Sequence, residues 1–186
     1  MRRAGQGRTE AHRLAAEGRT PALWEKPGAI EVEGVRIHGR ADRIDRLGDD
    51  RLAIVDYKTG APPTNAQVEQ GFALQLGVLG LIASRGGFDG VEGIPERFEY
   101  WSLGRSKDSD TGFGYACEPV KEGRKLTGLP REEFLSQTEF FLRDALARWI
   151  LGEEPFTARL NPDLPGYGDY DQLMRLDEWR ARGDVE

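Results

Sequence analysis

A mixed α/β or α+β single domain is the fold class predicted by this sequence of 186 residues. Three observations carry that expectation. Strand-type alternation fills Ala29–Lys58, a helical apolar pattern follows from Thr64, and a second round of strand and then helix runs from Arg97 to Trp149. The connection Gly48-Asp49-Asp50 is short enough to make its flanking strands antiparallel, and the stripe ending at Leu79 gives the next helix a face to lay on the sheet.

Each element has its own local reason. Residues 1–28 mix Gly, Arg, Ala and Glu with little apolar periodicity and read as a flexible or helical N-terminal segment. "AIEVEGVRIHGRADRID" alternates as a strand with one wet face does, and Glu33-Gly34 divides it by a turn. "RLAIVDYK" has the apolar run of a sheet interior. After Pro62-Pro63, Thr64 and Gln67 form a capping box, and Val68, Phe72, Leu76 and Leu79 predict one helix over Thr64–Arg85, ending near Gly86-Gly87. "RFEYWSL" is a fourth strand, "GRSKDSDTGFG" a turn-rich loop and "GYACEPV" a short fifth strand. Pro130 opens a long helix whose first turn carries Glu132 and Glu133, with Phe134, Phe141, Ala145, Leu146 and Trp149 as its apolar stripe. The core is expected over 29–152. A C-terminal extension, 153–186, is expected to pack on it, with a short helical piece around Leu173 to Trp179.

Composition narrows the function classes. With 38% hydrophobic and 31% charged residues and no long apolar run, the chain reads as a soluble protein, with cytoplasm the default and no membrane partner. The formal charge of −6 argues against a basic nucleic-acid coat, although five arginines fall within the first twenty residues. One cysteine, Cys117, excludes an internal disulfide and a four-cysteine iron–sulfur cluster within this chain. No Gly-x-x-x-x-Gly-Lys-[Ser/Thr] phosphate loop is present, so the chain is not itself a motor.

The stretch "GRADRIDRLGDDRLAIVDYKTG" places charges inside strands. With Gly48-Asp49-Asp50 as the hairpin loop, opposed residue numbers sum to 98 and Asp42 lies across from Asp56. Opposed Cβ atoms are roughly 4.5–5.5 Å apart, and Lys58 shares the face of Asp56. A slip of one residue in the loop would move this pairing. Two carboxylates so close repel unless a cation or proton lies between them. A divalent metal is the natural occupant, and Lys58 beside it would hold a phosphate oxygen or a water, as phosphodiester hydrolysis requires. A surface hairpin with Asp–Lys pairs stands level with that reading on spacing alone.

The ordered set "GRADRID", "IVDYKTG" and "LQLGVLGL" resembles the nuclease domain at the C-terminus of AddB proteins, in the RecB-like branch of the PD-(D/E)xK superfamily. The matching block spans Gly39 to Ile82, and the tail "DYDQLMRLDEW" is also similar. The resemblance implies a restriction-endonuclease-like mixed sheet flanked by helices. It implies a magnesium- or manganese-dependent exonuclease acting on single-stranded DNA ends beside an AddA-type helicase subunit and the upstream part of AddB, in double-strand break repair. By the same resemblance Asp42, Asp56 and the backbone carbonyl of Tyr57 hold the metal, Lys58 is the catalytic lysine, and Gln75 reaches the site from the helix face shared with Val68, Phe72 and Leu79. The family's further metal-ligating histidine has no clear counterpart. His12 is short of the usual spacing, and His38, on the same strand face as Asp42, adjoins no family motif; an upstream histidine outside this sequence is the other expectation. A non-catalytic docking or DNA-guiding module is the alternative function. Arg40, Arg43 and Arg46 read as solvated strand faces, and Trp24, Trp101, Trp149 and Trp179 as core or cap.

Overall fold

The structure, a computed structural model, describes residues 18–105, 113–123 and 127–155. The expected loop after Gly104 falls mostly outside these, as do His12, the tail helix and Trp179. The chain divides into two compact units, 1–147 and 148–186. In the second, Arg148 Nε donates to Glu154 Oε2 at 2.8 Å. The sheet belongs to the first.

Five strands form this one mixed sheet in the order β1-β2-β3-β4-β5: β1 (Thr20–Val32), β2 (Val35–Arg46), β3 (Arg51–Lys58), β4 (Ile94–Arg105) and β5 (Phe113–Cys117). Neighbours are antiparallel except β3 and β4, which run parallel. Glu33 and Gly34 both take positive φ, 51° and 74°, and close the first hairpin, as their sequence predicts. Asp49 and Asp50 do the same at 57° and 55°, a conformation that aspartate tolerates better than most residues. Leu47 N–H then donates to Arg51 O at 2.7 Å, and the ladder from Arg46↔Leu52 to Arg43↔Val55 keeps the expected register.

The first strand starts at Thr20 instead of Ala29. Pro21 and Pro27 disguise it in the sequence. Because β1 is an edge strand, a missing N–H can be accommodated there, and the register shifts between Pro21 and Leu23.

The crossover from β3 to β4 carries two helices where one was expected. α1 (Asn65–Glu69) starts with the complete Thr64–Gln67 capping box, and α2 (Gln75–Ser84) follows. Gly71 breaks the path at φ 79°, and a Cβ there would come 2.8 Å from the Phe141 ring. Phe72 accordingly lies in the break, exposed, and not on a helical stripe. Seven of the ten residues of α2 are buried, because it is enclosed between the sheet and α3 (Phe134–Ala145). Gly77 and Gly80 permit this: added Cβ atoms would meet Thr138 Oγ1 at 2.0 Å and Phe98 Cε1 at 2.7 Å. A 3₁₀ turn at Arg131–Glu133 leads into α3.

The core gathers Leu23, Ile44, Leu52, Ile54, Leu76, Leu79, Ile82, Phe88, Phe98, Tyr100 and Phe134. It covers one sheet face up to the point where β3 ends in Asp56 and Lys58.

Candidate active site

Strand alternation sets the first two members. Ile54 belongs to the core, so Asp56 and Lys58, two and four residues on, continue its face along β3. Asp56 is 2% exposed, whereas Lys58 is half-buried.

Asp42 stands one step past the last β2–β3 pair, Arg43↔Val55, at the level of Asp56. There its side chain takes the place of the backbone ladder. Tyr57 N–H donates to Asp42 Oδ2 at 2.8 Å, tying this carboxylate to the segment between Asp56 and Lys58. Tyr57, whose carbonyl is the expected third metal oxygen, is thereby fixed in place.

Lys58 Nζ donates to Gln75 Oε1 at 2.7 Å and lies 2.7 Å from Asp56 Oδ2. The second contact is an ion pair that lacks hydrogen-bond alignment, and Asp56 Oδ2 remains a buried oxygen with no hydrogen bond. Gln75 enters from the first turn of α2, not from within one long helix, with Leu79 buried one turn below it. Asp42, Asp56, Lys58 and Gln75 are thus brought together, linked through Tyr57.

The electrostatics of Asp56 set burial and a second carboxylate against the Lys58 ammonium. Burial pushes the Asp56 carboxyl above the usual aspartate range, Lys58 pulls it back, and the nearby Asp42 charge pushes it up again. The donor set fits a hard divalent cation, which takes a few carboxylates and keeps waters for the rest. A buried oxygen without a hydrogen bond, next to a second carboxylate, is the observation behind that fit. Among the described residues no group of three or more His, Cys, Asp or Glu is placed to hold a metal. His38 is exposed in the β1–β2 hairpin, paired with Ala29 and four residues from Asp42, or roughly 13 Å of strand.

Nothing in the sequence singles out Tyr100. It becomes a neighbour of the site through the parallel register, which pairs it with Asp56. The other sheet face holds a second charged cluster. Arg19 donates to Glu99 Oε1 at 2.8 Å and to Asp45 Oδ2 at 2.9 Å, and Arg43 donates to Asp45 Oδ1 at 2.6 Å. Arg43 also lies 4.9 Å from the Trp101 ring centroid. It is therefore not a solvated strand residue, unlike Arg40 and Arg46, which are exposed. Trp24, expected in the core or as a cap, is 58% exposed on the edge strand.

A model of the PD-(D/E)XK nuclease superfamily matches residues 1–163. Uncharacterized proteins of Rickettsia felis and Rickettsia bellii are each 37% identical to this chain over 60 residues, and one of Rickettsia conorii is 38% identical over 59 residues. Each match covers 32% of this chain and 7% of the relative, so the likeness concerns a small part of those much longer proteins.

Proposed function

We propose, starting from the fact that this chain belongs to the PD-(D/E)XK nuclease superfamily, that it is a metal-dependent deoxyribonuclease domain that hydrolyses phosphodiester bonds of single-stranded DNA. The observation that supports this best is the convergence of Asp42, Asp56, Lys58 and Gln75 where β2 and β3 part. A fold kept only for docking has no chemical need of two neighbouring carboxylates, one of them buried, beside a lysine.

A bound magnesium or manganese ion would supply Lewis acidity and neutralise charge on the phosphoryl oxygens. Asp42 and Asp56 would hold it through their carboxylates, with the Tyr57 carbonyl as a further oxygen. Lys58, half-buried at the strand end, leaves Asp56 to take up a phosphate oxygen or to orient the attacking water. Gln75 keeps the ammonium aimed by accepting one of its protons. Exonucleolytic cutting beside an AddA-type helicase, in recombinational repair of double-strand breaks in the cytoplasm, is the setting that the motif order suggests. That narrower assignment rests on the likeness to AddB nuclease domains.

The test is cleavage of end-labelled single strands with magnesium or manganese, by the chain alone and in its helicase assembly. Lys58→Ala is expected to lower the rate by about a hundred- to a thousandfold, the usual loss for a charge-stabilising group, with the melting temperature little changed. Cleavage by neither preparation would favour the docking-module alternative. Parental rates in Lys58→Ala, with Asp56→Ala inactive, would remove the lysine from the mechanism.

A further inference from the structure

Three buried side-chain atoms make no hydrogen bond among the described residues: Arg19 Nε, Asp56 Oδ2 and the Tyr100 hydroxyl. The last two are an acceptor and a donor on adjacent strands. The parallel register sets Asp56 against Tyr100, so both side chains leave the same sheet face from strands roughly 4.8 Å apart. Tyr100 is 1% exposed, and Lys58 Nζ stands 5.6 Å from its ring centroid. The ring is thus already a wall of the site. Its hydroxyl is what packing does not explain, because phenylalanine would fill the same space without burying an unsatisfied polar atom.

Burial, then the Asp56 charge and then Cys117 push the Tyr100 phenol above its usual range. Lys58 compensates the Asp56 charge, at 2.7 Å from Oδ2. A cation held by Asp42 and Asp56 would repel the Lys58 ammonium, a like charge, and free it for the substrate phosphate. Asp56 would then lose its compensating neighbour.

We propose that Tyr100 is a positioning residue of the metal centre, its hydroxyl donating to the Asp56 carboxylate once Lys58 leaves it and so holding Asp56 in its ligating orientation. This rests on the metal-centre reading above. It assigns the outer hydrogen bond, which ligating carboxylates ordinarily have, to a residue one strand away.

The experiment compares the parent chain with Tyr100→Phe by thermal melting without metal and by calorimetric titration with Mn²⁺, using Asp56→Ala as the control. Removing an unsatisfied hydroxyl is expected to raise the metal-free melting temperature by about 2–4 °C. Removing the outer donor is expected to weaken Mn²⁺ binding by about 10- to 100-fold. Both changes together support the proposal. Tyr100→Phe titrating like the parent, or melting below it, overturns the role of Tyr100 while leaving the metal centre intact, provided that Asp56→Ala abolishes binding. Equal Mn²⁺ binding by the parent and Asp56→Ala overturns the metal centre itself, and the role of Tyr100 with it.

Discussion

Two charged clusters occupy opposite faces of β2, β3 and β4, and they differ in how completely their carboxylates are bonded. On the back face Asp45 accepts from Arg43 on Oδ1 and from Arg19 on Oδ2, while Glu99 accepts from Arg19 on Oε1 and from Trp101 Nε1 on Oε2 at 2.8 Å. All four oxygens are satisfied, at 0% and 3% residue exposure, and the gap in the cluster is a donor, Arg19 Nε. On the other face Asp56 is as deeply buried, has an oxygen with no hydrogen bond and feels a second carboxylate nearby. A buried charge with its bonds complete is scaffold, since removing any partner strands the rest. Asp56 instead sets burial and the nearby Asp42 charge against a single compensating partner, the Lys58 ammonium 2.7 Å from Oδ2.

The largest expected effect lies on the scaffold side. Asp45→Ala removes a carboxylate shared by two arginines and leaves the buried Arg19 half-partnered. It should cost about 3–5 kcal/mol in urea unfolding of the metal-free chain. A loss under about 1 kcal/mol would erase the distinction between the clusters.

A smaller effect of opposite sign is expected at the site. The folded-state pKa of Asp56 is raised, so its contribution to stability is present below the ordinary aspartate pKa and is lost as pH rises through the folded value. Asp56→Asn should therefore melt above the parent at neutral pH without metal, with the gap closing as pH falls toward the ordinary aspartate range. Melting curves across that range sharpen the comparison. A variant less stable than the parent at pH 7 would mean that the Lys58 ion pair outweighs the burial cost.

The smallest effect belongs to neither cluster. Arg40 pairs with Glu25 at 2.9 Å, both well exposed, and Arg40→Ala should change stability by less than about 0.5 kcal/mol. A larger loss in the same unfolding measurement would show that surface charge, not completeness of buried bonding, sets the ranking.

How much of this was legible in the sequence depends on how far apart the interacting groups lie. The hairpin register was readable because Gly48-Asp49-Asp50 is a local instruction: two aspartates that tolerate positive φ close the loop, and period-2 alternation carries the pairing to the level of Asp42 and Asp56. The Thr64–Gln67 cap was readable for the same reason. The break between α1 and α2 was not, because apolar spacing persists through Gly71 while the chain turns there beneath Phe141. The strand from Thr20 was hidden by prolines that only an edge position excuses.

By itself, then, the sequence determined a mixed sheet, the shared level of two acidic strand positions, and the superfamily motif with its lysine and glutamine. All of these follow from neighbours along the chain or across one short turn. Only the tertiary structure decided that Lys58 is held between Asp56 and Gln75, that Tyr100 stands beside them, and that Arg19 meets Glu99 from 80 residues away. Those contacts depend on the β3–β4 crossover and on β1 closing the edge, and residue spacing carries no record of which distant side chains a folded sheet will bring onto one face.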